Sequence, residues 1–339
     1  MDNLFIYYPK IDLSKGGGAV HGYNLMKSLQ SLGYQIGTLN DATINGKNLK
    51  GSILSGILKC DLVYVRLHFN MKTNLFIRIV SIFKKVVVEL NGPSDEILLK
   101  GSSLAEVEKI DRRLRKTLKK ADHVITVSDA ITQYTREILG VEHVTTINNG
   151  GERLPANSHQ VTGNIESDIN EIKHQFERIV IWSGTNYPWQ GFKYLKELAL
   201  SDQMEKVAFI IVSDDQEVLN VLKNRANVFL YNYLDRADVK YLIKQADIGC
   251  SMYGDFSLTR TGFYNSSLKF HEYMVNGLGV ITSPYKYFER YKNDNVICTD
   301  DVSDMIAFIQ QFSYKDCGPQ RTWEDVAEDT DKILRRILA

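Results

Sequence analysis

The 339-residue sequence is poor in cysteine. Its four cysteines, Cys60, Cys250, Cys298 and Cys317, are scattered and form no CxxC pair. That argues against a zinc cluster or a disulfide framework, and for a reducing cytoplasm. Long apolar runs are missing too, since no stretch approaches the ~20 residues needed to cross a bilayer. The opening residues, MDNLFIYYP, show no basic leader followed by an apolar core and a small-residue cleavage site. No secretory signal is expected. Neither sign of charge is in excess, because 41 Lys/Arg balance 41 Asp/Glu. The balance is nevertheless uneven along the chain. Residues 1–150 hold 20 Lys/Arg against 14 Asp/Glu (+6), and the remainder 21 against 27 (−6). Such asymmetry speaks of partners rather than of fold.

What is there is ordinary for a soluble globular protein: 44% hydrophobic and 24% charged residues. The length exceeds one core and fits two domains of about 150 residues each. Short apolar runs at 4–8, 62–65, 86–90, 124–127 and 144–147 read as strands buried on both faces. Helical stretches separate most of them. In the first, Val20, Tyr23, Leu25, Leu29 and Leu32 form an apolar stripe, with Gly33 as its C-terminal cap. Residues 153–176 are polar and turn-rich and then helical, and they read as a linker. The alternation then restarts, with strands at 179–182, 207–212, 228–230, 248–251 and 279–282. This predicts an α/β protein of two Rossmann-like domains, 1–152 and 153–320. Ligands in such sheets bind beyond the carboxyl ends of the strands, so an interdomain cleft is the expected site. A terminal amphipathic helix, 321–339, turns Trp323, Val326, Ile333 and Leu334 to the core and is expected to pack back on the first domain.

The stretch NSSLKFHEYMVNGLGVI, residues 265–281, concentrates chemistry. Ser266 and Ser267 are good helix N-caps, and the free amides and positive dipole end of the helix suit an anion. Lys269 adds a cation. Glu272, one turn on, can accept two hydrogen bonds from a vicinal diol such as a ribose. Taken alone, the same residues would also make a capped helix with a Lys269–Glu272 ion pair. Gly16, Gly17 and Gly18 follow a strand and open a helix, so backbone can approach a ligand closely there. They form no Walker A loop, because no GK[ST] follows.

Five segments in order resemble the retaining GT-B glycosyltransferases of glycosyltransferase family 4. SSLKFHEYMVNGLGVITS is similar to the family's SPLKLFEYMAxGxPVIAS element, and SKGGGAVHGYNLMKSLQSLGYQI to its glycine loop and first helix. ADHVITVSDAITQYTREILGVEHVTTINNGGE, IVIWSGTNYPWQGFKYL and NVFLYNYLDRADVKYLIKQADIG match its later elements. The resemblance implies the GT-B fold and a donor diphosphate at the start of the helix, with Glu272 on the nucleotide ribose. It implies donor contacts at Gly16, Gly17, Gly18, Gly184, Thr185, Gln190, Tyr264, Ser267, Leu268, Lys269 and Glu272. Glu272, Lys269 and Asn91 form the expected catalytic set. Tyr264 stands where the family has the first acid of a Glu-x7-Glu pair. Thr185 and Gln190 replace basic residues, and Asn91 replaces a histidine. Phosphate neutralisation then falls to Lys269 and helix dipoles, with Arg260 as a further cation.

The expected reaction moves a sugar from a nucleotide-sugar donor to a polysaccharide or lipid-linked acceptor in bacterial cell-surface polysaccharide synthesis. No cofactor or metal is expected, since the nucleotide-sugar is a substrate. The competing reading is a non-catalytic GT-B protein within a polysaccharide assembly complex. A GT-B epimerase would need its own catalytic carboxylates and histidine in the cleft, and the sequence does not place them. Asp329-Thr330-Asp331 spells DxD but falls in the terminal amphipathic helix. His21, His68, His143 and His271 lack ligand spacing and read as packing or surface residues. MKTNLFIRIVSIFKKV (71–86) and RRLRKTLKK (112–120) are either solvated helix faces or contacts with anionic lipid headgroups. The expected place is the cytoplasm, peripheral on the inner face of the plasma membrane if lipid contact holds. Nucleic acid is not an expected partner, because no stacking aromatics interleave the basic residues.

Overall fold

The computed structural model of the protein describes residues 3–7, 16–38, 43–44, 47–48, 53–154, 163–184, 187–232 and 234–339. The chain divides into two compact units. The first comprises Met1–Gly150, Phe256–Ser266 and Trp323–Ala339, and the second Gly151–Asp255 and Ser267–Thr322.

In the first unit, β1 (Asn3–Tyr7), α1 (Gly17–Ser31) and β2 (Gln35–Thr38) precede a two-stranded ribbon, β3 (Thr43–Ile44) and β4 (Lys47–Asn48). There follow α2 (Ile53–Lys59), β5 (Leu62–Arg66), α3 (Met71–Val80), β6 (Lys85–Leu90), α4 (Leu104–Leu118), β7 (His123–Thr126), α5 (Asp129–Glu137) and β8 (Val144–Thr146). Six strands pair in parallel in the order β2-β1-β5-β6-β7-β8, with Phe5 opposite Val63 and Val88 opposite Val124. Their apolar runs are buried because helices cover both faces of such a sheet. The chain first steps outward from β1 to β2 and then back past β1 to β5. The crevice at the carboxyl ends of β1 and β5 is therefore a switch point of the kind where α/β sheets hold ligands.

α1 corrects the expected stripe. Its buried side chains include Ala19, Leu25, Met26 and Leu29, while Val20 and Tyr23 are only half-buried and Leu32 is exposed. The rotation follows from a second neighbour. The C-terminal helix, Trp323–Leu338, packs on α1 with the Trp323 ring edge-on to His21 and Tyr34 Oη donating to Asp331 at 2.7 Å. That helix buries Trp323, Val326, Ile333 and Leu334. The carboxylates of its Asp-Thr-Asp run are occupied, Asp329 by Lys332 and Asp331 by Arg335.

The segment 256–266 is stapled into the first unit by polar contacts. The Thr261 amide donates to Asp95 (2.9 Å), Arg260 reaches Asp111 (2.9 Å), and Ser128 Oγ donates to the Tyr264 carbonyl (2.5 Å).

The second unit contains α6 (Ile165–Gln175), β9 (Arg178–Ser183), α7 (Phe192–Leu200), β10 (Val207–Val212), α8 (Gln216–Leu222), β11 (Val228–Tyr231) and α9 (Arg236–Gln245). Next come β12 (Ile248–Ser251), α10 (Leu268–Val275), β13 (Gly279–Thr282), α11 (Lys286–Glu289), β14 (Val296–Cys298) and α12 (Val302–Gln311). Its parallel sheet runs β11-β10-β9-β12-β13-β14, so its switch point lies between β9 and β12. Trp182, Phe209 and Ile281 anchor the core there. No helix among the described residues is long and apolar enough to cross a membrane.

Candidate functional site

The second unit builds its candidate site at that switch point. α10 begins where β12 ends, because Ser267 Oγ lies 3.0 Å from Ser251 Oγ, the last residue of β12. Ser267 is the N-cap and accepts from the Phe270 amide at 3.2 Å. The other first-turn amides, at Leu268 and Lys269, have no intrahelical partner by construction. Ser266, expected to share the cap, does something else. In the first unit its hydroxyl accepts from the Asn149 amide (2.9 Å), and Asn149 Nδ2 donates to its carbonyl (2.6 Å).

Lys269 crosses to the other strand of the crevice. Its Nζ donates to the carbonyl of Ser183, which ends β9, at 3.0 Å, and to Gln190 Oε1 at 2.9 Å. It lies 5.3 Å from the Trp182 ring centroid. Both hydrogen-bond partners are neutral, and among the described residues no carboxylate pairs with it. Burial lowers its pKa to about 8. Lys269 is therefore a cation held at the limit of its charge, not the freely charged group that the sequence suggests. The Lys269–Glu272 ion pair is absent.

Glu272 is buried and pairs instead with Arg236, at the first position of α9. Arg236 escaped sequence reasoning, because nothing local in LDRADVKYL marks a partner 36 residues away. The approach to Gln190 depends on glycine. Gly191 has φ +63°, and a Cβ there would stand 2.7 Å from the Met252 carbonyl carbon and the Tyr253 nitrogen. At Gly184 an added Cβ would meet the Trp182 ring at 2.8 Å and Lys269 Nζ at 3.3 Å. Gln190, Gly184, Ser267, Lys269 and Glu272 thus all belong to the second unit, with Leu268 half-buried at the start of α10. Thr185 lies outside the described residues. Tyr187 and Trp189 stack at 4.7 Å beside Gln190, a pair visible as aromatics two apart in NYPWQG.

The first unit holds Gly16, Gly17, Gly18, Asn91 and Tyr264. Gly16 has φ +83° and leads into α1. Arg66, the last residue of β5, donates to the Gly18 carbonyl at 2.9 Å, so the glycine turn is tied across the β1/β5 switch point. Near it lies a buried polar cluster that sequence reasoning missed. Glu89, on β6, accepts from Tyr64 Oη (2.6 Å), His21 Nε2 (3.1 Å) and Asn91 Nδ2 (2.6 Å). Burial opposes its charge, but His21, Arg66 and Tyr64 outweigh that and hold its carboxyl well below the usual range. The available signal was a single acid inside VVVEL, an otherwise apolar strand. His21 is accordingly no ordinary packing residue.

Tyr264 is buried, and its hydroxyl donates to Glu96 at 3.3 Å. Burial raises the Glu96 carboxyl, with Lys100 and Tyr264 opposing the rise. Arg260, expected as a phosphate cation, is committed elsewhere. It pairs with Asp111 at 2.9 Å and Asp95 at 3.8 Å.

Comparison with protein-family models and with curated proteins finds no match. Solved structures do match over the whole chain. Sucrose-phosphate synthase from Thermosynechococcus elongatus superposes with a TM-score of 0.66 at 13% identity, covering 99% of both chains. A glycosyltransferase from Rickettsia africae gives 0.66 at 14% identity over 99% of this chain and 98% of that one. Anabaena HepE in complex with UDP and glucose gives 0.65 at 14% identity over 99% and 100%. The fold is GT-B. At such identities the likeness concerns the fold, and the chemistry must be argued from the residues.

Proposed function

We propose that the chain is a glycosyltransferase that takes a sugar from a nucleoside-diphospho-sugar and passes it to a saccharide acceptor with retention of anomeric configuration. The observation that carries this reading is the start of α10 at the second sheet's switch point. A capped helix N-terminus, a half-buried lysine and a buried carboxylate one turn on match phosphate followed by ribose. The similar structures support the donor class, since HepE is described with UDP and glucose and Arabidopsis starch synthase IV with ADP and acarbose.

In this reading the second unit holds the donor. Glu272 accepts from the ribose diol, and Lys269 and the α10 amides neutralise the leaving diphosphate. Such preorganised donors act on charge as it develops. The first unit holds the acceptor, with Asn91 and the glycine turn near the transferred sugar. In this reading no covalent intermediate forms, and the acceptor oxygen attacks the anomeric carbon on the face the phosphate leaves. The departing phosphate oxygen takes the acceptor's proton. No divalent metal is needed. The acceptor is a lipid-linked saccharide of bacterial surface polysaccharide synthesis, met at the cytoplasmic face of an anionic membrane.

A binding role without transfer has one observation in its favour. Tyr264 stands where the family that the sequence resembles has the acid that contacts the donor sugar, and its hydroxyl donates to Glu96. Incubation with a panel of UDP-, ADP- and GDP-sugars decides between the two. Sugar release or transfer supports the enzyme, whereas tight nucleotide binding without turnover across the panel supports the binding protein.

A further inference from the structure

Among the described residues, five exposed large apolar side chains fall within 71–83: Met71, Leu75, Ile79, Ile82 and Phe83. Met71 is 72% and Ile82 81% exposed. On α3, Met71, Leu75 and Ile79 recur every fourth residue and so share one face. The opposite face is the buried one, carrying Thr73, Ile77 and Val80. At roughly 100° per residue, Lys72 falls on one side of the apolar stripe and Arg78 on the other, and both are exposed. Lys84 ties the end of this segment to α2 through the carbonyls of Leu58 (3.3 Å) and Cys60 (2.6 Å). Leu58 on α2 is exposed as well. Residues 67–85 contain no Asp or Glu but four cations, Lys72, Arg78, Lys84 and Lys85.

Apolar residues solvated singly need no explanation, but a contiguous group does. A protein partner of ordinary surface would not require the cations to border the stripe on both sides. A boundary between apolar chains and anionic headgroups does require it. We propose that α3 and the turn after it form an apolar wedge that seats in the headgroup–acyl boundary of an anionic bilayer. Lys72 and Arg78 meet the headgroups. The inference rests on the reading of a lipid-carried acceptor, which makes a membrane the surface where such an acceptor is found. It also shifts the weight of attachment from the basic run of α4 to the apolar face of α3. Two arginines of that run are already engaged, Arg113 with the Phe69 carbonyl and Arg115 with the Ile138 carbonyl, each at 2.8 Å.

The test is sedimentation of the full chain with phosphatidylcholine vesicles, with and without phosphatidylglycerol, at low and high salt. The wild type is expected to pellet with the anionic vesicles and to keep part of that binding at high salt, where headgroup attraction is screened. Ile82→Ser with Phe83→Ser removes side chains that the fold leaves exposed. It should weaken binding about tenfold or more and abolish the salt-resistant part. Arg112→Gln with Lys116→Gln should leave the salt-resistant part in place. Absence of vesicle binding by the wild type at low salt overturns the proposal, as does unchanged binding by the Ile82/Phe83 variant. A concentration-dependent dimer that this variant abolishes would assign the patch to a second copy of the chain and equally overturn it. Nucleotide titration of the same proteins keeps the wedge separate from the donor site. Lost nucleotide binding with intact vesicle binding would count against the transferase reading alone.

Discussion

Asn91 Nδ2 donates to Glu89 Oε1 at 2.6 Å, and the charge on Glu89 decides which way the Asn91 amide faces. An ionised carboxylate only accepts hydrogen bonds, so the amide nitrogen must point to it and the amide oxygen away. Asn91 Oδ1 is buried, with no partner among the described residues. In the proposed reaction this oxygen is the acceptor that a hydroxyl of the transferred sugar would meet. Glu89 is itself held by Tyr64 and His21, so the orientation of Asn91 is set from the core of the first unit.

Glu89→Gln removes that constraint, because a neutral amide can donate as well as accept. Transfer should fall about tenfold or more while nucleotide affinity stays the same, and stability should drop by about 1–3 kcal/mol for the disturbed buried hydrogen bonds. The depressed carboxyl adds a pH signature. Its stabilisation is complete above the ordinary glutamate value of about 4.5 and is lost as pH falls below it. Acid unfolding of the wild type should therefore be steeper below about pH 5 than that of Glu89→Gln. Identical acid-unfolding curves would mean that Glu89 is not a charged centre of the cluster.

Glu272→Ala should weaken binding of UDP or ADP without unfolding the protein. The diol loses two charge-assisted hydrogen bonds, each worth about 1.5–3 kcal/mol, so calorimetric affinity should fall more than tenfold. Unchanged affinity in a folded variant removes Glu272 from the site. Arg236→Ala, which frees the same carboxylate, separates loss of the diol acceptor from loss of the ion pair.

Lys269 gives the donor site a pH dependence. Burial lowers its pKa to about 8, so the cation is present below that pH and lost above it. Nucleoside-diphosphate affinity should decline as pH rises through about 8, while affinity for the nucleoside without phosphate stays flat. The stability sign is the reverse. The unfolded chain holds this proton up to an ordinary lysine value of about 10.5, so this group makes the fold more stable as pH climbs from about 8 towards 10.5. A diphosphate affinity independent of pH from 7 to 9, within roughly the factor of two or three expected of nearby groups, would show that Lys269 does not meet the phosphates.

Transfer should survive EDTA at concentrations that strip magnesium and manganese, since Lys269 and the α10 dipole supply the positive charge in the proposed reaction. Activity lost on chelation and restored by either ion would assign the leaving group to a metal.

Arg260→Ala should be a stability variant. Asp95 and Asp111 are buried, and Asp111 also accepts from Tyr134 at 2.6 Å. Removing their shared cation should cost about 1–3 kcal/mol, discounted from a fully buried pair because Arg260 is partly exposed. Thermal unfolding measures this. A variant with unchanged stability but weakened diphosphate binding would restore Arg260 to the donor site.

The apolar strands and the alternation of strand with helix were legible in the chain because parallel strands buried on both faces leave an unbroken hydrophobic run. Ser267 was legible as a cap for a similarly local reason, since its hydroxyl reaches an amide only three residues on. Other features depend on partners far away in sequence, which periodicity does not encode. Ser266 looks like a helix cap as good as Ser267 until Asn149, 117 residues earlier, takes its hydroxyl. Val20 and Leu32 look like core until the C-terminal helix rotates α1. Residues 256–266 sit within the stretch that reads as the second domain, yet Asp95, Asp111 and Ser128 bind them into the first unit. Glu272 carries its meaning in the local motif, but its partner Arg236 comes from another helix. Glu89 appears as one acid in an apolar strand, and only the packing of α1, β5 and β6 converts it into the charge that orients Asn91. Local sequence encodes which faces avoid water. Which polar group satisfies which buried partner is decided when distant segments meet, because the cost of leaving a buried group unpaired is felt only there.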